Sequence, residues 1–203
     1  MQGASVTACG RDLDRPADLG AGYVAIVDGL LAASYPSHHI QVVNRGVDGN
    51  TVRELAARWR TDVLDLTPNW LSICIGINDV WQHFDGNEAR LSHVTLTEYE
   101  NTLEELLSST RPVLEGLVLL TPYFIAPQSE PMRAMMDAYG LAVHRLAARH
   151  DARLVDAQAV FDDALEDAAL ESLSTDRVHL SVRGHTLLAR AVLNAIDFDW
   201  GEA

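Results

Sequence analysis

Short apolar runs rich in Val, Ile and Leu alternate along this chain with longer segments in which apolar residues recur every three or four positions. The short runs are typical of strands buried on both faces, and the longer segments are typical of helices with one apolar side. Strands that alternate with helices form a parallel sheet covered by helices. The sequence therefore predicts an α/β fold, a three-layer α/β/α sandwich around a central parallel sheet.

Each predicted strand is a short apolar stretch followed by polar or glycine-containing sequence. The predicted strands are residues 40–44, 70–75, 117–121 and 153–156, and the predicted helices are residues 23–34, 51–65, 97–109, 131–150 and 184–196. Thr97 is the predicted N-cap of the third helix, because Glu100 stands three residues after it as in a capping box. Ligand sites in such sheets form beyond the carboxyl ends of the strands, so we expect the functional side chains there.

The size and charge of the chain limit its organisation and its partners. A chain of 203 residues, of which 48% are hydrophobic, fits one domain, residues 1–203. Its formal net charge of -14 disfavours binding to nucleic acid and to anionic membranes and favours neutral substrates. No apolar run is long enough to span a bilayer, and the first residues do not resemble a signal peptide, so we expect a cytoplasmic protein.

The first candidate functional turn stands very close to the start of the sequence. Only Met1 to Ala4 precede Ser5, whereas a parallel sheet of this kind normally places a buried strand before such a turn. We therefore expect either that the sequence starts too late to include this strand, or that the fold tolerates a first strand that is missing or very short. Loss of a central strand would leave backbone groups of its neighbours without hydrogen bonds.

The sharpest chemical signal is the string Asp176-Arg177-Val178-His179. An Asp three residues before a His can hold the ring by its Nδ1 proton and leave Nε2 as a general base for a hydroxyl elsewhere in the chain. Taken alone, the string fits a loop Asp that caps the following turn and an exposed His better than it fits a catalytic pair.

Three further blocks place small or polar residues at predicted strand ends or turns. Gly3-Ala4-Ser5 would put a serine on a turn of small residues, whereas the backbone amides of residues 44–51 and the side-chain amide of Asn78 could face an oxyanion. Each block taken alone is also an ordinary turn, since Gly and Asn are common where a chain leaves a strand. Their joint occurrence, in this order before Asp-x-x-His, indicates a catalytic site.

These four blocks resemble the SGNH (GDSL-like) hydrolases, which are named for the Ser, Gly, Asn and His of their conserved blocks, over nearly the whole chain. The resemblance implies a flavodoxin-like fold in which Ser5 is the nucleophile and Asp176 and His179 complete its triad. It also implies an oxyanion hole formed by the Ser5 amide, Gly46 and Asn78. This chemistry requires no cofactor and no metal.

Longer strings are similar to bacterial acetylxylan esterases in particular. They are residues 5–11, 22–25, 49–53, 76–81, 176–179 and 198–200. The implied activity is removal of O-acetyl groups from neutral carbohydrate, such as xylan or xylo-oligosaccharides, through an acyl-enzyme on Ser5. Relatives of this kind are often oligomeric, so we expect a homo-oligomer.

Two departures from the family pattern keep other functions open. The family's Gly-Asp-Ser is Gly3-Ala4-Ser5 here, and Leu180 stands where a Pro commonly follows Asp-x-x-His. The alternatives are a lysophospholipase or thioesterase on the same scaffold, and a non-catalytic carbohydrate-binding relative.

Aromatic residues and histidines lie near these blocks in the sequence. Trp81 and Phe84 are candidates to border the cleft and to contact a sugar ring, although packing explains them at least as well. We expect Tyr123 to serve packing and not catalysis. His83 and His93 have no spacing of a known metal site, so we expect no metal there.

Overall fold

A computed structural model of the protein describes residues 1–86 and 93–201. The parallel strands form one sheet in the order β2-β1-β3-β4-β5. The strands are β1 Gln2–Gly3, β2 Arg45–Gly46, β3 Trp70–Cys74, β4 Gly116–Leu120 and β5 Arg153–Val155. The helices in the described residues are α1 Ser5–Ala8, α2 Tyr23–Ser34, α3 Val52–Ala57, α4 Trp59–Asp62, α5 Ile77–Trp81, α6 Leu96–Thr110, α7 Pro131–Arg149, α8 Ala157–Leu165, α9 Leu170–Leu173 and α10 Val182–Ala195.

The helices pack in two groups that enclose the sheet. One group contains α2, α8, α9 and α10, and the other contains α3, α5, α6 and α7. The predicted three-layer α/β/α sandwich is confirmed. The buried apolar side chains form one continuous core cluster, in which every residue of β4 is buried. Within the described part of the chain, no helix is long and apolar enough to cross a membrane.

The first strand is present and very short. Gln2 pairs with Arg45 of β2 on one side and with Ile73 of β3 on the other, so that the two residues of β1 lie inside the sheet. The predicted strand at residues 40–44 is wrong, because β2 begins at Arg45. In this sheet β2 pairs with β1. Because β1 has only two residues, only two residues of β2 find backbone partners in it.

The other predicted strands and most predicted helices match the structure. The strands at 70–75, 117–121 and 153–156 agree with β3, β4 and β5 to within one residue at each end, and α2 has the predicted bounds. The predicted helix 51–65 is instead divided into α3, α4 and a 3₁₀ turn at Leu64–Leu66. The break lies at Arg58, whose guanidinium donates to the backbone oxygens of Gly3 at 3.0 Å and Arg45 at 2.7 Å. These bonds hold the broken segment against β1 and β2.

The predicted N-cap at Thr97 is wrong. The helix α6 begins at Leu96, and the Thr95 side chain accepts a hydrogen bond from the Glu98 amide at 3.2 Å. Thr95 and Glu98 have the same spacing as Thr97 and Glu100, two residues earlier. The carboxylate of Glu98 pairs with Arg53 of α3, and this contact between helices favours Thr95 over Thr97 as the N-cap.

The short strand β1 requires glycine at position 3. An added Cβ on Gly3 would overlap Thr7 Oγ1 and would lie 2.5 Å from the backbone oxygen of Cys74. We predict that Gly3→Ala lowers the free energy of unfolding by about 1–3 kcal/mol, which is the usual cost of overpacking. A urea titration measures this difference. Gly29→Ala is the matched control, since nothing lies within 4 Å of a Cβ added at this position in α2. The control should stabilise the protein by up to about 1 kcal/mol, and equal stability of Gly3→Ala and wild type would contradict the packing argument.

Candidate active site

The ends of three strands bring the predicted blocks to one edge of the sheet. Gly3 lies in register between Gly46 of β2 and Cys74 of β3. The chain then continues from β1 into α1, from β2 into the loop before α3, and from β3 into the turn before α5. The blocks that contain Ser5 and Asn78 therefore lie side by side.

Glycines allow α1 to lie directly on this edge. A Cβ on Gly46 would overlap the backbone nitrogen of Ala8 and would lie 2.8 Å from the carbonyl carbon of Thr7. Together with Gly3, which faces Thr7, Gly46 leaves the space that the backbone of α1 occupies. This close approach places Ser5, the first residue of α1, above the strand ends.

The structure brings Ser5, His179 and Asp176 together. The Ser5 Oγ lies 3.0 Å from His179 Nε2, and His179 Nδ1 lies 2.6 Å from Asp176 Oδ2. A carboxylate only accepts hydrogen bonds, so Nδ1 carries the proton of the neutral ring and Nε2 is free to accept the Ser5 hydroxyl proton. The triad is open to solvent, since the side chains of His179 and Asp176 are 58% and 43% exposed.

Backbone and side-chain hydrogen bonds fix the loop that carries Asp176 and His179. Asp176 Oδ1 accepts from the amides of His179 at 2.7 Å and Val178 at 3.0 Å. Partial burial tends to raise the pKa of Asp176, but the bonds from the His179 ring and from these two amides outweigh it and lower that pKa to about 2. The carboxylate therefore stays ionised at neutral pH and orients the ring.

Two further side chains anchor the same loop from outside the predicted blocks. The Ser174 hydroxyl donates to the His179 carbonyl at 2.7 Å, and the buried Tyr123 hydroxyl donates to the Val178 carbonyl at 2.7 Å. Tyr123 thus has the packing role expected from the sequence. Its bond to the triad loop spans 55 residues and was not predicted, because contacts between residues far apart in sequence leave no periodic signal. The bond of Ser174 spans only five residues, but contacts within a loop follow no regular spacing either.

Asn78 lies at the start of α5, after the end of β3. Its Nδ2 donates to the Asn50 carbonyl at 3.0 Å, and the amide has a second N–H for which no acceptor is found among the described residues. The neighbouring Asp79 is buried and accepts from the Val52 amide at 2.9 Å, so that α5 is tied to the start of α3. Burial raises the pKa of Asp79 to about 7.

The structure does not support Gly46 as an oxyanion donor. Its backbone N–H donates to Asn44 Oδ1 at 2.9 Å, and Gly46 itself lies buried beneath α1. Gly49, three residues later, has a φ of 75° and open space around its Cα, and its amide has no acceptor among the described residues. The sequence did not separate the two glycines, because both follow the same predicted strand.

A cavity of about 230 Å³ lies beside the triad. It is lined by Ser5, Val6, Cys9, Gly10, Asp48, His179, Leu180 and His185. Trp81 and Phe84 are not among these residues, and with 38% and 43% exposure they lie on the surface at the end of α5. Their contact with a substrate stays a prediction. His185 and Asp48 line the cavity without having been singled out from the sequence.

Two other regions contain ionisable side chains that contact one another. A second cavity of about 450 Å³ contains Arg133, whose guanidinium is paired with Asp137 and Asp162. The rings of His83 and His93 stack with their centroids 4.7 Å apart. Among residues 1–86 and 93–201, no group of three or more His, Cys, Asp and Glu side chains is placed to hold a metal ion.

Comparison with known proteins identifies relatives over the full length of the fold. The model of the GDSL-like Lipase/Acylhydrolase family matches residues 2–187. An acetylxylan esterase of Geobacillus stearothermophilus is 47% identical over 205 residues, which cover 98% of this chain and 93% of that protein. The crystal structure of an acetylxylan esterase from Geobacillus stearothermophilus superposes on this chain with a TM-score of 0.94 at 46% identity, and the match covers 100% of this chain and 94% of the other.

Further solved structures extend this comparison. An alpha/beta hydrolase enzyme from the metagenome of Lake Arreo, Spain, has a TM-score of 0.93 at 43% identity, over 97% of this chain and 93% of its own. Solved catalytic mutants of the Geobacillus esterase replace a serine, an aspartate or a histidine by alanine. The aspartate and the histidine lie three positions apart in that protein, as Asp176 and His179 do here.

The low pKa of Asp176 makes its contribution to stability depend on pH. A carboxyl whose pKa falls from 3.8 to about 2 on folding stabilises the fold above pH 3.8, and this contribution is lost as the pH falls toward 2. We predict that Asp176→Asn lowers the melting temperature at about pH 6 and that the difference from wild type shrinks at about pH 2.5. Scanning calorimetry measures both values. Asp163→Asn, which changes an exposed carboxyl of α8, is the control, and a loss in Asp176→Asn that is independent of pH would contradict this account.

Proposed function

Because the chain belongs to the GDSL-like lipase/acylhydrolase family, we propose that it is a serine esterase that removes O-acetyl groups from xylan or xylo-oligosaccharides, with Ser5 as its nucleophile. The observation that carries this proposal is the continuous relay from Ser5 Oγ through the His179 ring to Asp176, with distances of 3.0 and 2.6 Å. A serine hydroxyl becomes nucleophilic when an adjacent base takes its proton, and His179 Nε2 is positioned to do so.

The proposed reaction proceeds in two halves. His179 takes the proton of Ser5, and Ser5 Oγ attacks the carbonyl carbon of the acetyl ester. His179 then gives this proton to the departing sugar oxygen, which leaves an acetyl group bound to Ser5. A water molecule, deprotonated by His179, then attacks the carbonyl carbon of the acetyl-enzyme; the bond to Ser5 Oγ breaks, His179 returns the proton to Oγ, and acetate is released. Asp176 keeps its negative charge throughout and stabilises the imidazolium that forms in each half.

The oxyanion of the tetrahedral intermediate requires donors on the side of Ser5 away from His179. We assign the Ser5 amide and Asn78 Nδ2 to this role, and we assign the Gly49 amide in place of Gly46. Two contacts support Gly49: the preceding Asp48 lines the cavity, and the carbonyl of the following Asn50 accepts from Asn78 Nδ2. Gly49 is thus a chain neighbour both of a residue that lines the cavity and of the residue that binds Asn78.

The size of the cavity beside Ser5 favours a small substrate over one with a long acyl chain. Its volume of about 230 Å³ is below the range of roughly 300–1,000 Å³ of pockets that hold drug-sized ligands. A long fatty acyl chain needs an extended apolar channel, and the walls beside Ser5 include the polar side chains of Asp48, His179 and His185. These features favour acetyl esters over the lysophospholipase or thioesterase alternative. The assembled triad also disfavours a non-catalytic role, although Ala4 replaces the family Asp.

The same proposal includes the substrate class, the cellular location and the oligomeric state. The Geobacillus relative is an acetylxylan esterase, and a formal net charge of -14 favours a neutral acylated carbohydrate over nucleic acid or anionic lipid. One domain spanning residues 1–203, a cytoplasmic location and a homo-oligomeric state stay predictions. Light scattering coupled to size-exclusion chromatography measures the last of these.

The proposed function predicts release of acetate from acetylated xylo-oligosaccharides. Wild-type protein should release it, and Ser5→Ala should lose at least about a thousandfold in kcat, as expected when a triad member is removed. The exposed Ser37→Ala serves as the control and should leave the rate unchanged. Aryl esters of increasing chain length test the size of the acyl site. Full activity of Ser5→Ala would refute the assigned nucleophile, and a strong preference for long chains would refute the acetyl esterase.

The oxyanion assignment makes a separate prediction. Asn78→Ala should lower kcat about a hundred- to a thousandfold while the protein stays folded, whereas Asn101→Ala on the exposed face of α6 should have no effect. In NMR spectra of a phosphonate adduct on Ser5, the amide proton of Gly49 should move downfield because it now bonds a charged oxygen. A shift at Gly46 without one at Gly49 would reverse the choice between these two glycines.

A further inference from the structure

A second histidine lines the cavity beside the triad. His185 lies in α10, is only 3% exposed and faces the same cavity as Ser5 and His179. The catalytic relay uses His179 alone, so the mechanism leaves His185 without a role. A polar side chain that is this deeply buried is normally held by hydrogen bonds.

The surrounding backbone fixes the tautomer of His185. The Tyr23 amide donates to His185 Nδ1 at 3.2 Å. A backbone N–H is a donor, so Nδ1 is the acceptor and the proton of the neutral ring lies on Nε2. Burial, with a smaller contribution from the nearby His179, lowers the pKa of His185 to about 4. The ring is therefore neutral at pH 7.

Close packing also fixes the direction in which Nε2 points. A Cβ on Gly22 would lie 2.9 Å from Cε1 and 3.2 Å from Nδ1 of His185, so the backbone before α2 lies against this side of the ring. No described residue accepts a hydrogen bond from Nε2 of His185. This nitrogen is nevertheless not fully enclosed, because it is not among the buried side-chain atoms that lack a partner. The remaining opening is the cavity, so the Nε2–H donor faces it.

The alcohol part of the substrate lies on the same side of the site as His185. In the proposed reaction His179 protonates the leaving sugar oxygen, so the sugar must lie beside the His179 ring. Leu180 and His185 follow His179 in the chain and line the cavity together with it, and neither Asn78 nor Gly49 is among the residues that line it. A donor in this position faces the sugar and not the acetyl carbonyl.

We propose that His185 is a specificity-determining residue that donates its Nε2–H to a sugar oxygen neighbouring the ester, either a hydroxyl or the ring oxygen. The proposal rests on the proposed function, because it assumes that His179 protonates the leaving alcohol. A buried donor that finds an acceptor in the correct substrate discriminates against esters that offer none.

The test compares two esters in two variants. The Asn side chain of His185→Asn has an oxygen that can accept the hydrogen bond from the Tyr23 amide, but it has no donor at the position of Nε2. The longer side chain of His185→Gln can place an amide N–H donor near that position. On a monoacetylated methyl xyloside, His185→Asn should lose about three- to tenfold in kcat/KM, the usual value of one neutral hydrogen bond. On an aryl acetate, which has no such oxygen, both variants should retain the wild-type rate, and His185→Gln should recover part of the loss on the xyloside.

The outcomes separate this proposal from the function on which it rests. An equal loss on both esters would show that His185 acts through packing or through His179, and no loss on either ester would show that it is not used; both results overturn the proposal. If wild type hydrolyses neither ester, the proposed function fails instead. The control is His39→Asn, since His39 is exposed and has a φ of 51°, a conformation that Asn adopts readily.

NMR of the wild-type protein provides a measurement that does not depend on the folding of a variant. Long-range ¹H–¹⁵N spectra should show His185 as the neutral Nε2–H tautomer at about pH 7, since its Nδ1 accepts a backbone proton. Addition of methyl xyloside should shift the His185 Nε2 resonance. An Nδ1–H tautomer, or an unchanged Nε2 while other cavity residues respond, would overturn the proposal.

Discussion

The backbone of α1 lies against the ends of β1 and β2 at a distance that a side chain would prevent. Glycine at positions 3 and 46 provides this space, and Ser5 stands at the first position of the helix that fills it. Any larger residue at either position would move α1 outward and would lengthen the 3.0 Å contact between Ser5 Oγ and His179 Nε2. The position of Ser5 is therefore set by the packing of backbone on backbone, and the remaining parts of the candidate site are arranged around it.

Buried polar side chains hold the loops in register with α1. Asn44 donates to the carbonyls of Thr7 at 2.7 Å and Leu19 at 2.8 Å, and it accepts from the Gly46 amide. This single side chain connects the end of α1 to the end of β2. Ala4 offers no side-chain cap to α1, so Asn44 provides polar anchoring of the serine turn that the family pattern assigns in part to an Asp. On the other side of the site, Asp79 connects α5 to α3 in the same way.

Most of the architecture could be predicted, because buried parallel strands produce apolar runs and long helices produce a helical period. The errors occur where tertiary contacts outweigh local signals. A two-residue partner limits β2 to Arg45–Gly46, and the bonds of Arg58 divide a segment that reads as one helix. Helices of four or five residues, such as α1 and α5, are too short to show a period.

The candidate site, like the fold, could be predicted only in part from the sequence. The grouping of Ser5, Asp176 and His179 could be predicted because the proposed chemistry demands particular residue types in a particular order, and the structure brings the three side chains together. The choice between Gly46 and Gly49 depended on where one amide proton points, and His185 depended on a contact across 162 residues of chain. Neither property is encoded in a local pattern, so both required coordinates.

The central claim is that the hydroxyl of Ser5, activated by His179 and Asp176, forms a covalent acetyl-enzyme. Time-resolved mass spectrometry of the protein mixed with an aryl acetate tests this claim most directly, because it detects the intermediate and locates it. The account predicts a transient mass increase of one acetyl group that peptide mapping assigns to Ser5. Turnover of the ester without an adduct on Ser5, or with an adduct on another residue, would contradict it.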